Sequence, residues 1–594
     1  MHALRRLILG AAIGFLVSLP LLLILALAGD EQVSLATVGG FFWVIVAALL
    51  IGSSYALLFV PRQGGGAEHM ATGFILGLIL WFVWALTLQP LLLGRGHAWG
   101  AGAAQDAIPK LFLYLLQGGG SGFLYGLLFP FINGPLRLWP KPAGPVPISQ
   151  RVVIVGGGYA GVAAAQALEK ELDKHPEVAI YLISQNNYLI HTPMLSEVSA
   201  SSVNAQNISP TLRSFFHRVQ VIQGDVAGVD LATGQLQLTA DTRSAEKTLS
   251  FDQLIMAVGS VPNFFGNESI AQNAFTLKSL DDAVLIRNQI IDMFERADLE
   301  PDPAQRRQLL TFVVAGGGFA GVELLGGIND FARGICAFYP NVHPADLRTV
   351  LVHSRDRILP ELSEKLGKFA QEKLAERGVE FQLGVRVTGA RRGAVLIGDG
   401  AIPSHTFVWT AGNQPSPILQ QLGLPLTERG QLAVDNQLQV SGADNVWAAG
   451  DCAQVPDLTT GGTAPPTAQH ALREGKTVGY NVAATLLGKP TKPFKFKMIG
   501  SLAALGHQLA VAEIFGIRFS GFLAWLMWRG IYLSKLPTLQ KQVRVLLDWL
   551  LDIFFPPDIV QTVNFSRPDP VRQRYRQEQD QTIVDLGPSG GQHG

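Results

Sequence analysis

Two glycine-rich stretches carry the most specific chemistry in this sequence. Arg151 to Leu168 reads RVVIVGGGYAGVAAAQAL, and Phe312 to Glu323 reads FVVAGGGFAGVE. In each, an apolar run ends in Gly-x-Gly-x-x-Gly and opens into a helix-forming segment. The first glycine allows a tight turn, the second lets the backbone approach a pyrophosphate, and the third lets helix and strand pack closely. The helix then starts beneath the phosphates with its positive end toward them. Gly156, Gly158 and Gly161 form the first cradle, and Gly316, Gly318 and Gly321 the second. A lone match is weak, but two in one chain, each between a strand and a helix, imply two bound dinucleotides. A third piece, NVWAAGDCA at Asn445 to Ala453, brings Gly450-Asp451 to a strand end. There the carboxylate can hold a ribityl or phosphate-side group.

The rest of the composition narrows the chemistry. Cys336 and Cys452 are the only cysteines and lie far apart in sequence. That excludes a CxxC redox pair, a cysteine zinc site and a cysteine-held iron–sulfur cluster within one chain. Redox work therefore falls to an organic cofactor, and no metal is expected. Net charge is zero, which argues against nucleic acid as a partner. Charged residues make up only 15% and mean hydropathy is +0.26, values that suggest membrane segments.

Four apolar stretches precede the first cradle, at roughly 7–28, 35–60, 71–93 and 108–132. Each approaches or exceeds the roughly 20 residues that cross a bilayer as a helix. Gly118-Gly119-Gly120-Ser121-Gly122 interrupts the fourth, although glycine is tolerated in membrane helices. The first also resembles a signal peptide, with Arg5-Arg6 ahead of it and Ala26-Leu27-Ala28 behind. With four spans the Lys and Arg distribution puts both ends in the cytoplasm, and with the first removed the rest still lands inside. The spans are nearly bare of ionisable groups, with Lys110 at one edge. They read as an anchor or docking bundle rather than a pump or channel.

The two cradles with their late Gly-Asp resemble the two-dinucleotide-binding flavoproteins, in which the first cradle holds FAD and the second NAD(P)H. Within that superfamily the sequence is similar to the type II NADH:quinone dehydrogenases over about 151–560. The motifs are NNYLIHTPMLSEV at Asn186, AVGSVPNFFG at Ala257, LKSLDDAVLIRNQI at Leu277, the second cradle, APPTAQHALREG at Ala464 and FLAWLMWRGIYLSKL at Phe522. Disulfide and sulfide:quinone reductases of the superfamily need cysteines that this chain lacks.

The resemblance implies an α/β fold with two Rossmann-like dinucleotide-binding domains, for FAD and for NAD(P)H. To these the hydropathy adds an N-terminal four-helix transmembrane region, and a C-terminal amphipathic membrane-associated helical segment completes the chain. The expected division is 1–142 transmembrane, 143–274 and 406–490 FAD-binding, 275–405 NAD(P)H-binding, 491–565 on the quinone side, and 566–594 a disordered tail. Trp525, Trp528, Tyr532 and Trp549 suit a membrane interface. Leu539, Val543, Leu546, Leu547, Leu550 and Phe554 recur at helical spacing opposite Lys541, Arg544, Asp548 and Asp552. The plain alternative is a helical pair packed on the domain's own core.

Residue roles follow from the resemblance. Gly156, Gly158, Gly161 and Asp451 would hold FAD, with Val226 in the Gly224-Asp225-Val226 stretch against the adenine. Strand ends at Ala257 and at Thr410, which leads to Gly412, would mark the crossings between domains. Glu323 matches a glutamate near nicotinamide and flavin and would position or couple them; otherwise it merely complements the helix dipole. Gln469 matches the glutamine lining the quinone side, while Arg473 stands where many members have a second glutamine. Ser184 replaces the acid expected on the FAD ribose. His353 replaces the glutamate usual in NADH-selective enzymes, and Arg355 nearby could bind a 2′-phosphate. The donor is expected to be NADH, with NADPH the alternative. The partners implied are a membrane quinone and the lipid bilayer, with a possible homodimer, and the catalytic domain faces the cytoplasm of a multi-pass cell-membrane protein. Other readings are a reductase of another membrane acceptor and a non-catalytic nucleotide-responsive flavoprotein.

Overall fold

The apolar runs before both cradles become buried parallel strands. A computed structural model describes residues 10–19, 45–46, 48–56, 66–92, 108–133, 147–239 and 247–561. The chain divides into two units, 1–143 with 538–543, and 144–537 with 544–594.

In the larger unit the strands of the two main sheets are β1 (Gln150–Val155), β2 (Val178–Ser184), β3 (Gln220–Gln223) and β4 (Gln253–Met256). Then come β5 (Phe275–Thr276), β6 (Thr311–Ala315), β7 (Arg348–His353), β8 (Val379–Leu383) and β9 (Thr406–Trp409), and finally β10 (Val446–Ala448). Two five-stranded sheets result, β10-β4-β1-β2-β3 and β8-β7-β6-β9-β5, with every neighbour pair parallel. A parallel sheet needs cover on both faces, and accordingly Val152 to Val155 and the whole of β6 are buried. The chain enters the second sheet and returns through an antiparallel pair, Ser260–Pro262 against Asn413–Pro415.

The helices that matter to function are α1 (Tyr159–Glu171), α2 (Leu280–Leu299), α3 (Phe319–Ile335), α4 (Ala468–Leu486), α5 (Phe522–Lys535) and α6 (Leu539–Phe554). Helix α1 opens from the first cradle and α3 from the second. Helix α4 lies against α1 at the closest spacing glycine permits: a Cβ on Gly475 would strike the Ala160 carbonyl. Between α4 and α5 runs an antiparallel sheet of β11 (Gly500–Ala504), β12 (Ala510–Ile514) and β13 (Ile517–Gly521).

The C-terminal aromatics differ from the interface expected of them. Trp525, Trp528 and Trp549 are all buried, Trp528 completely. Each tryptophan has an apolar body to bury and one N–H to satisfy, and two of these indoles find carboxylates. The exposed apolar surface comes instead from Phe522, Leu523, Leu526, Leu546, Leu547, Leu550 and Leu551. Asp548 turns inward and accepts hydrogen bonds from the Asn204 backbone and the Asn207 side chain.

In the smaller unit, two helices are long and apolar enough to cross a membrane among the described residues, Thr72–Leu91 and Lys110–Leu128. The expected four-helix bundle and multi-pass topology are reduced accordingly. The described part of the first stretch, Gly10–Leu19, is a helix of about 15 Å, half a bilayer core. The remainder of the first stretch and most of the second lie outside the described residues, as do the Ala26-Leu27-Ala28 site and 566–594. The glycines that interrupt the fourth stretch do not break its helix, which runs from Ile108 to Asn133. They are its contact face: a Cβ on Gly118 would strike the Gly73 carbonyl, and one on Gly122 the His69 carbonyl. Small residues at that spacing let two helices approach closely.

Candidate functional site

Each cradle is built by the same local logic. Gly156 and Gly316 have φ of +116° and +119°, a conformation open to glycine and strained for other residues. A Cβ on Gly161 would run into the Gly156 carbonyl, and one on Gly321 into that of Gly316, so the third glycine of each motif is needed for packing. At Gly158, by contrast, nothing lies within 4 Å of a Cβ position, and at Gly318 only the Glu361 carboxylate does, at 3.5 Å. These open floors at two helix N-termini fit two pyrophosphates.

Asp451 follows Gly450 at the end of β10 and accepts a 2.7 Å hydrogen bond from the Ser260 hydroxyl. Lys278 reaches the same hydroxyl at 3.2 Å. Ser184 ends β2 with its hydroxyl beside Gly157, and its carbonyl accepts the Gly224 N–H at 2.9 Å. Val226 begins the strand just beyond. Gly412 packs under the Phe265 ring at the crossing between the sheets. Asp451 and Ser184 lie beside the first cradle with α1 and α4, whereas Gly412 follows Thr410, whose atoms meet Gly316 and Gly321 of the second.

At the second cradle His353 Nδ1 accepts the Gly317 N–H at 3.1 Å. That bond requires a bare Nδ1, so the neutral ring carries its hydrogen on Nε2. Burial foremost, and then Arg355, lowers the His353 pKa. Arg355 itself is exposed.

Glu323 is buried in α3, beyond its first turn. Its Oε1 accepts the Ala504 N–H and the Trp528 indole N–H, both at 3.0 Å. It is therefore no simple complement to the helix dipole. Burial, aided by Glu197, pushes its carboxyl up to about 8. Glu197 accepts the Trp549 indole N–H at 2.8 Å and is itself raised by burial to about 7, against the pull of Arg529. A cavity of about 210 Å³ lies between them, lined also by Asp330, His507, Arg529 and Asp552.

Gln469 and Arg473 lie on α4. Gln469 donates to the Gly500 carbonyl at 2.9 Å. Arg473 folds back onto the Gln469 carbonyl and stacks on the Phe496 ring, 4.0 Å from its centre. Strand β11 therefore holds Gln469 at one end and Glu323 at the other, joining the helix beside the first cradle to the helix of the second.

Three groups here escaped the sequence reading. Trp528 is the indole that holds Glu323. The Tyr159 hydroxyl meets His191 Nδ1 at 2.9 Å, and the His191 ring lies edge-on to Tyr532, which packs on Trp528. Glu474, deep in α4, accepts the Gly450 N–H at 2.7 Å. All three stand inside motifs already singled out; only the pairing was invisible. Glu474 gave a fainter signal, an acid beside a glycine within a helix.

The family model for pyridine nucleotide-disulphide oxidoreductases matches residues 150–475, and that for the NDH2 C-terminal domain matches 498–557. A type II NADH:quinone oxidoreductase of Mycobacterium tuberculosis is 33% identical over 425 residues, 69% of this chain and 89% of its own length. The chain belongs to the type II NADH:quinone oxidoreductase family. It is an FAD-dependent NAD(P)H:quinone oxidoreductase. A demethylphylloquinone reductase of Synechocystis is 29% identical, covering 67% of this chain and 95% of its own. The fold is also that of NDH2 from Plasmodium falciparum in complex with NADH, with TM-score 0.63 at 18% identity, over 69% of this chain and 99% of the other. The two buried, unpaired cysteines leave this oxidoreductase without the disulfide its broader family is named for.

Proposed function

We propose that this chain works at the cell membrane, with its catalytic unit on the cytoplasmic side, and passes two electrons from NAD(P)H to a membrane quinone. The observation that carries the reading is β11, which holds Gln469 and Glu323 at its two ends. A donor site and an acceptor site must stay aligned to within fractions of an ångström for efficient transfer, and one short strand bonded to both supplies that constraint.

Bound FAD supplies the two-electron acceptor chemistry between nicotinamide and quinone. The first cradle, Gly156, Gly158 and Gly161, takes its pyrophosphate, within 143–274 and 406–490. Asp451, Ser184, Gly412 and the backbone at Val226 hold the rest. The second cradle, Gly316, Gly318 and Gly321 within 275–405, takes the nicotinamide dinucleotide, with His353 and Arg355 at the ribose end. Glu323 positions the nicotinamide side, and Gln469 and Arg473 line the quinone side. The buried Trp528 and the half-buried Tyr532 exclude water between the cradles.

The bilayer is the occupant we assign to the exposed face of Leu546, Leu547, Leu550 and Leu551 on α6. Its apolar residues and the two span-length helices support this. Pairing of two copies through the same face is the competing outcome. The test is anaerobic: NADH or NADPH is added to the detergent-purified protein, followed by a short-chain quinone. Loss of flavin colour with nucleotide and its recovery with quinone are expected. Loss without recovery would point to a different membrane acceptor, and no bound flavin would sink the reading.

A further inference from the structure

The overall reaction leaves a proton to be accounted for. NAD(P)H delivers two electrons and one proton, whereas a quinone becomes a quinol by taking two electrons and two protons. The second proton comes from solvent, and a buried protein group that holds it near the electrons would deliver it in step with them. The buried Glu323 and the half-buried Glu197 are tied to the C-terminal tryptophans. Glu474 is different, because it touches the Gly-Asp turn of the first cradle itself.

Glu474 is 3% exposed and sits one residue after Arg473 in α4. Its Oε2 accepts the Gly450 N–H at 2.7 Å, and Asp451 is the next residue. From the opposing helix, α1 presents Ala160 and Ala163 at the adjoining Gly475. The charged and titratable groups around it are Asp451, Cys452, Arg473 and His470. Arg473 is stacked on Phe496, and the His470 Nδ1 is engaged with the Thr467 hydroxyl at 2.8 Å. Lys278 is drawn to Ser260 and Asp451 rather than to Glu474.

We propose that Glu474 is the proton-holding group coupled to electron arrival at the first cradle. It takes one proton from solvent when two electrons enter. When they leave for the quinone, its O–H bond breaks as a quinol O–H bond forms, and solvent restores the cycle. Burial, with Asp451 adding to it, pushes the carboxyl up to about 7 against the pull of the Gly450 N–H. At neutral pH a further negative charge nearby is then enough to draw a proton onto it. This rests on the reading of the first cradle as the FAD site.

The test is spectroelectrochemical titration of the flavin in the full-length holoenzyme and in E474Q, between pH 6 and 9. A two-electron couple that binds one more proton shifts by about 30 mV more per pH unit. Above about pH 7 the wild-type midpoint should therefore fall about 30 mV per pH unit more steeply than that of E474Q. Redox-difference infrared spectra should show a protonated-carboxyl band gained on reduction, moved in E474D and lost in E474Q. Parallel slopes with flavin bound in both proteins would overturn the proposal and leave the enzyme reading intact. The infrared band is read on the wild-type protein, so its absence there overturns the proposal even if E474Q loses flavin. A wild-type protein without flavin would overturn the cradle assignment and this proposal with it.

Discussion

His353 ends β7 beside the second cradle as a neutral ring whose tautomer is set by the Gly317 N–H. A carboxylate in that place would accept hydrogen bonds from ribose hydroxyls and repel a 2′-phosphate; a neutral imidazole with its hydrogen on Nε2 can only donate to a ribose hydroxyl and repels no phosphate. Arg355 is exposed two residues on, and so is Arg386, one residue after Val385, whose N–H bonds the His353 carbonyl. The glutamate variant H353E should lower kcat/KM for NADPH by tenfold or more, about 1.4 kcal/mol, and leave NADH equal or improved. R355A should weaken NADPH alone. Steady-state kinetics with both nucleotides decide it, and equal losses would remove the site's role in discrimination.

At the scale of elements, β11 and α5 close over Glu323 and α6 over Glu197, so that two acids are drawn largely out of water. Both carboxyls bind protons more tightly in the folded chain than in the unfolded one. Their contribution to stability is thus complete in acid, below their ordinary pKa, and is lost as pH rises through about 7 and 8. Thermal midpoints should fall between pH 6 and 9, and fall less steeply in E323Q, whose amide oxygen still accepts from Trp528 and Ala504. Parallel curves would show that Glu323 does not titrate in this window. W528F removes a buried donor and should cost about 1–3 kcal/mol, measured by denaturant unfolding.

For the molecule as a whole, every cradle residue lies after Gln150, within a unit that carries its own two sheets and cores. A chain beginning at residue 144 should therefore still bind flavin and lose its colour with nucleotide. It should also sediment with lipid vesicles through α6. In that shortened chain, L547S with L551S should weaken vesicle binding at least tenfold, since each buried leucine contributes about 1.5–3 kcal/mol. Unchanged sedimentation would move the contact elsewhere, and a loss of dimer mass instead would identify a second copy as the occupant.

What the sequence determined by itself was the local chemistry. The strand-turn-helix of each cradle follows from glycine spacing and β-branched runs, because only glycine adopts a φ near +116° cheaply and only a bare Cα lets Gly161 meet the Gly156 carbonyl. Those constraints act over a dozen residues, so they are written in the residues themselves. Tertiary structure decided whatever depends on partners hundreds of positions away. Trp528 has the composition of an interface residue, yet burial beside Glu323, 205 positions earlier, makes it a hydrogen-bond donor. The glycines of Gly118 to Gly122 look like a break in a span until a second helix supplies the surface they fit. Glu474 is an unremarked helical acid until α4 docks on α1 and carries it out of water against Gly450. A side chain's type is local, but its charge state depends on what the fold places around it.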